Sequence, residues 1–130
     1  MRAIGIDHVV LRVSDLDIAT HFYGTVLGCR LERRQNDIGM VQLRAGGALL
    51  DLVAIDGPLG RRGGPAPAPA GCNMDHLCLR IAGFEPEQAR SELAAHGIAA
   101  DAAAIRYGAA GDGLSIYLRA PDGNGVELRG

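Results

Sequence analysis

The pattern Asp-His-x-x-Leu-Arg-aliphatic occurs twice, as Asp7-His8-Val9-Val10-Leu11-Arg12-Val13 and as Asp75-His76-Leu77-Cys78-Leu79-Arg80-Ile81. A duplicated local sequence implies a duplicated structural unit. Two copies point to a closed pseudo-symmetric pair, because open solenoid arrays need three or more repeats to bury their faces. Each copy is followed, late in its half, by an acid inside an aliphatic run. These are Asp51 in Ala48-Leu49-Leu50-Asp51-Leu52-Val53 and Glu127 in Asn124-Gly125-Val126-Glu127-Leu128.

Apolar periodicity supplies the elements. Residues 6–13 alternate as a strand, with Val9, Leu11 and Val13 on one face and Ile6, His8, Val10 and Arg12 on the other. From Ser14 to Gly28 the spacing becomes helical, with a stripe of Leu16, Ala19, Tyr23, Val26 and Leu27. Ser14 and Asp17 resemble a capping box and Gly28 ends the helix. Short strands are expected around Leu31, from Met40 to Ala45 and from Ala48 to Ile55, the last two joined by a Gly46-Gly47 hairpin turn. Gly57 to Cys72, crowded with Pro58, Gly60, Gly63, Gly64, Pro65, Pro67 and Pro69, reads as a linker unable to continue a sheet or helix. The pattern then restarts with a strand to Ile81 and a helix from about Pro86 to His96, with Gly97 behind it. Further strands are expected near Ala99 to Arg106, Leu114 to Arg119 and Val126 to Arg129. The expected fold class is α+β. One domain, residues 1–130, holds two β-α-β-β-β modules, about 1–56 and about 73–130, joined by the linker 57–72.

A chain of 130 residues buries a core without staples. Cys29, Cys72 and Cys78 are odd in number and lack C-x-x-C spacing, which suits neither a disulfide framework nor structural zinc and points to a reducing cytoplasm. No apolar run approaches the roughly 18 residues of a membrane span, and no signal peptide is evident. The formal charge is −2, Lys is absent and the 13 Arg are scattered, so no basic stripe attracts nucleic acid. A small-molecule substrate is the expected partner.

Two imidazoles and a carboxylate are one of the few protein donor sets that hold a divalent first-row metal with open positions. His8, His76 and Glu127 supply that set, and Asp51 is a candidate fourth ligand, leaving two positions for vicinal substrate oxygens. The bland alternatives are a hydrogen-bonded rim histidine, a charged residue at a terminal strand, and an acid guarding an edge strand. Repetition of the same local sequence favours the ligand reading. His21 and His96 read as structural, the latter at a helix carboxyl end. Tyr117 shares strand parity with Ser115 and Arg119 and either faces the metal cavity or packs. Arg12 and Arg80 share parity with their histidines; they either hold an anionic part of the substrate or form rim ion pairs. Gly108-Ala109-Ala110-Gly111-Asp112-Gly113 lacks the Gly-Lys-Ser/Thr ending of a phosphate loop and reads as a mobile hairpin.

Residues 4–28 and 74–129 resemble the vicinal oxygen chelate superfamily, which includes glyoxalase I, extradiol dioxygenases, fosfomycin-resistance transferases and bleomycin-binding proteins. The resemblance rests on Asp7 through Leu16, Phe22-Tyr23 before Leu27-Gly28, Asp75-His76, and Tyr117 through Leu128. It implies two β-α-β-β-β modules whose sheets curl around a cleft, with His8, Asp51, His76 and Glu127 at the ligand positions and a homodimer as the assembly. Ala120 departs from the family, which usually places Asp before Pro-Asp-Gly.

A glyoxalase-like lyase or isomerase is the reading the resemblance favours. It implies a divalent metal (Ni, Zn, Co, Mn or Fe), Glu127 as catalytic base with Tyr117 beside it, an enediolate, and glutathione or another thiol as candidate co-substrate. Arg12 matches an arginine that glyoxalases use near the glutathione carboxylate, whereas Ile55 stands where they commonly carry Asn. An extradiol dioxygenase would use His8, His76 and Glu127 around iron, but no strand histidine is left to serve as its acid-base group. A fosfomycin-type thiol transferase needs Thr where Val10 stands. The non-enzyme alternative is a metal-free module that sequesters a drug or toxin, as bleomycin-resistance proteins do.

Overall fold

The computed structural model describes residues 2, 4, 6–66 and 74–130. The chain divides into two compact units, Met1–Ala68 and Pro69–Gly130. The stretch 67–72, with Pro67, Pro69 and Cys72, lies outside the described residues.

In the first unit β1 (His8–Val13) leads to α1 (Leu16–Thr20), which runs on as a π-helical turn, His21–Val26. β2 (Arg30–Gln35), β3 (Met40–Ala45) and β4 (Ala48–Ala54) follow. The sheet order is β1-β4-β3-β2, with β1 parallel to β4 and the other pairs antiparallel. Period-two alternation sends Leu11, Val13, Val41, Leu43, Leu50 and Leu52 into the core with Ala19, Phe22 and Tyr23. His8, Arg12, Gln42 and Asp51 share the parity of the opposite face. The two-residue Gly46-Gly47 turn joins Ala45 to its partner Ala48, with Gly46 at φ 60°.

Two local expectations change. The helix cap is Asp15, not Ser14: its carboxylate accepts from the backbone N–H groups of Asp17 and Ile18, each at 2.9 Å. The linker's first half belongs to the first unit. Gly60–Gly63 forms a 3₁₀ turn, and Arg12 ties it to β1 by donating to the carbonyls of Gly60 (3.0 Å), Gly63 (2.9 Å), Gly64 (2.6 Å) and Pro65 (3.2 Å). A cation with five donors satisfies carbonyls that Gly and Pro leave outside any ladder.

The second unit repeats the plan. β5 (His76–Arg80), α2 (Pro86–Ala95), β6 (Ala104–Gly108), β7 (Gly111–Arg119) and β8 (Gly125–Arg129) give the order β5-β8-β7-β6, again with one parallel pair at the edge. Pro86 opens α2, and Gly97 at φ 73° follows its end. Leu93, Ile116, Leu118, Val126 and Leu128 are buried. The strand expected from Ala99 starts only at Ala104, apart from one bridge between Ala100 and Leu118. The Gly-rich segment forms a hairpin, as its sequence suggested, with the strands of β6 and β7 running up to Gly108 and Gly111, which pair around Ala109-Ala110. At the departing Ala120 the turn is closed by backbone bonds, Gly123 N–H to Ala120 O at 2.8 Å and Ala120 N–H to Asn124 O at 2.9 Å, and Arg119 Nη1 donates to Gly123 O at 3.2 Å. No helix among the described residues is long and apolar enough to cross a membrane.

Candidate functional site

The two halves place their histidine and acid in the same register. Asp51 stands beside Val10 across the parallel pair, and His8 is two residues before Val10; Glu127 stands beside Cys78, and His76 is two residues before Cys78. Equal parity puts histidine and acid on one sheet face in each unit. On the next strand a polar residue faces the acid. Gln42 Nε2 donates to both Asp51 oxygens at 3.1 Å, and Tyr117 O–H donates to Glu127 Oε2 at 3.1 Å.

Both imidazoles are oriented alike. Nδ1 of His8 meets Asp7 Oδ1 at 2.7 Å, and Nδ1 of His76 meets Asp75 Oδ2 at 2.7 Å. A carboxylate on one ring nitrogen fixes the tautomer and leaves Nε2 for a ligand, the orientation metal-binding histidines use. The hydrogen bond that His8 donates to the Asp7 carboxylate raises the His8 pKa above its usual value, against a smaller loss from burial and with help from the charges of Asp51 and Asp7.

The second unit holds the denser cluster. His76 Nε2 lies 3.2 Å from Glu127 Oε2, and the Tyr117 ring stands edge-on to His76, with centroids 5.0 Å apart at 88°. Glu127 is only 6 % exposed, so its charge must be met locally. Burial pushes its carboxyl up; hydrogen bonding from Ser115 and Tyr117, the charge of His76 and the Cys78 thiol together bring it below its usual value. Its Oε1 is buried without a well-formed hydrogen bond, although Ser115 and Cys78 are near. Burial, then the neighbouring Glu127, push the Cys78 thiol up to about 11. Burial and the bond to Glu127 likewise raise Tyr117. Beside this cluster a cavity of about 370 Å³ is lined by residues including Asp75, His76, Asp101, Tyr117 and Arg119.

The structure therefore brings His76, Tyr117 and Glu127 into contact, and sets His8 beside Asp51 within electrostatic reach. Among the described residues, no group of three or more His, Cys, Asp or Glu side chains is placed to hold a metal. Arg12 spends its donors on backbone carbonyls, whereas Arg80 is exposed and faces Arg129 across β5 and β8. His21 lies in the π-helical turn and His96 caps α2. Gln42, Ser115 and Arg106 join the site without having been singled out as functional. Arg106 Nη1 donates to Ser115 O (3.0 Å) and Oγ (2.9 Å), and its Cζ lies 4.5 Å above the Tyr117 ring centroid. The available signal was parity: polar residues alternating along β3, β6 and β7 share a face with the acids.

Solved structures with this arrangement of elements are varied. A virulence protein of Salmonella typhimurium is 28% identical over 99% of this chain and 98% of its own, with a TM-score of 0.78. Lactoylglutathione lyase from Agrobacterium tumefaciens is 23% identical (98% and 94% covered, TM-score 0.70), and an antibiotic-binding protein from a Streptomyces species 20% (99% and 97%, 0.70). The last two are likenesses of fold. No curated protein matches the chain. Residues 5–128 match the Glyoxalase/Bleomycin resistance protein/Dioxygenase superfamily, and with the duplicated register described above the chain belongs to that family.

Proposed function

We propose that the protein is a metal-dependent enzyme of glyoxalase type, a lyase or isomerase acting on a small substrate with two adjacent oxygens. The repeated register carries this reading. In each half an imidazole, with Nδ1 held by the preceding aspartate, shares a face with a buried acid. Nitrogen and carboxylate donors of this kind suit borderline divalent ions such as Ni, Zn, Co, Mn or Fe. His8, Asp51, His76 and Glu127 are the proposed ligands. Each half offers one histidine and one acid, fewer than the three protein ligands a catalytic site normally needs, and the four are proposed together as the ligand set. A homodimer is part of the proposal.

A divalent ion bound there would supply Lewis-acid stabilisation of charge on the substrate oxygens. Glu127 is the proposed base. Its lowered pKa keeps it ionised at neutral pH, as a base that takes the proton from one substrate carbon and returns it to the next must be. Tyr117 holds Oε2 and fixes the carboxylate plane. Cys29 and Cys78 are free thiols, in keeping with a reducing cytoplasm.

The test is elemental analysis of protein stripped with chelator and then resupplied with metal. The expected result is about one ion per chain, lost in His76→Ala, with carbon-proton exchange lost in Glu127→Gln, assayed with and without glutathione. No uptake would remove the enzyme reading. It would favour the second one, a metal-free binding protein for a drug or toxin.

A further inference from the structure

We propose that the polar face of the second sheet binds a ligand oxyanion, a carboxylate or phosphate group, with Arg106 as its principal contact. The proposal deepens the reading of this face as a ligand site by giving the charge of the ligand, and it does not depend on a metal.

Arg106 is held from two sides. Its Nη1 is anchored on Ser115 O and Oγ, and its guanidinium stacks on Tyr117, which in turn touches Glu127 and His76. These bonds engage one of its three nitrogens. No carboxylate among the described residues forms an ion pair with Arg106, Arg80 or Arg129. A planar fork immobilised in this way is preorganised for paired oxygens and loses little entropy on binding them.

Arg80 is the register partner of Arg129 and is exposed, whereas the Arg129 guanidinium turns away from it, over β7 toward β6. Arg129 is 6 % exposed and lies across the β6–β7 hairpin, donating to Gly111 O at 2.8 Å. Gly108 and Gly113 make that path possible, because a Cβ on Gly108 would collide with the Arg129 guanidinium and one on Gly113 would lie 3.0 Å from Nη2. The glycines thus accommodate an arginine that lies over the β6–β7 hairpin and bonds to β7, the strand paired with the one carrying Arg106. Glu127 is a buried carboxylate on this face that is engaged by Tyr117 and His76 and forms no ion pair with Arg106; Tyr117, on which Arg106 stacks, lines the cavity of about 370 Å³ together with Asp75, Asp101 and Arg119.

The experiment uses the full chain stripped of metal. Inorganic phosphate and, separately, acetate are titrated while backbone amide shifts are followed, the two arms separating phosphoryl from carboxylate recognition. The expected result is saturable shifts at Arg106, Ser115 and Tyr117 with at least one anion, weakened by added salt, and affinity about tenfold or more lower in Arg106→Gln. No saturable binding by the wild type, or equal binding by Arg106→Gln, overturns the proposal. If Arg106→Gln fails to fold, Arg106→Lys replaces it: the loss of the fork should still weaken binding by several-fold, and unchanged affinity overturns the proposal. Metal uptake is measured on the same samples. Anion binding without metal uptake would refute the enzyme reading alone, and metal uptake without anion binding would refute this proposal alone.

Discussion

Replacing Gly60 by alanine should destabilise the first unit by about 2–4 kcal/mol, mostly through one backbone collision. Gly60 is buried, and a Cβ there would run into the carbonyl oxygen of Ala54 while lying 2.7 Å from its carbonyl carbon and 3.0 Å from Cα of Ile55. Neither residue is free to yield. Ala54 O accepts Gly57 N–H at 3.0 Å, Ala54 N–H donates to Gly39 O at 2.9 Å, and Ile55 N–H donates to Val13 O at 3.0 Å. The 3₁₀ turn must move instead, pulling the Gly60 and Gly63 carbonyls away from Arg12. Overpacking against fixed atoms costs about 1–3 kcal/mol, and the lost hydrogen bonds cost about 0.5–1.5 kcal/mol each. A stiffer unfolded chain returns about 0.4–1 kcal/mol. In urea, with a slope of about 1–3 kcal/mol/M, the midpoint should fall by about 1–2 M. Gly47→Ala is the control: its Cβ meets nothing within 4 Å, so it should stay within about 0.5 kcal/mol of wild type. If Gly60→Ala matches that control, the packing of the 3₁₀ turn against β4 is wrong.

Three further outcomes are expected. The lowered Glu127 pKa means stability that is present above the unfolded value of 4.5 and lost as pH falls through the folded one. Urea midpoints of metal-free protein should therefore drop below about pH 4.5, and drop less in Glu127→Gln. At pH 8, Cys78, with its thiol pushed up to about 11, should alkylate roughly a hundredfold more slowly than an unfolded-chain thiol, read by peptide mass mapping. Glu127→Gln should speed it. Tyr117→Phe removes the hydroxyl that donates to Glu127 and should shift the acid limb of the stability profile to higher pH while leaving the fold, judged by circular dichroism, unchanged; an unmoved limb would mean that bond does not hold the charge.

Much of the fold was legible because it follows from periods that neighbouring residues set. The alternation in residues 8–13 put Leu11 and Val13 in the core and His8 on the other face, as observed, and the Gly46-Gly47 turn fell where two apolar runs met. The repeated Asp-His pair also foretold the duplicated unit. Less legible was anything decided by competition between equivalent neighbours. Ser14 and Asp15 are both good caps, and the chain direction into α1 selects Asp15. Gly57 to Pro65 has linker composition, yet it is fastened to the first unit by an arginine some fifty residues away.

Arg12 and Arg80 show most clearly where local sequence stops. They occupy the same place in the same repeated motif, and the sequence determined that both stand on the polar face of an edge strand, two positions beyond the residue facing the acid. Tertiary structure alone decided their surroundings. Arg12 meets four backbone carbonyls, whereas Arg80 is exposed, its register partner Arg129 turned toward the β6–β7 hairpin. Backbone period is a property of adjacent residues and is written locally; the partner of a long charged side chain depends on distant segments that the repeat does not duplicate.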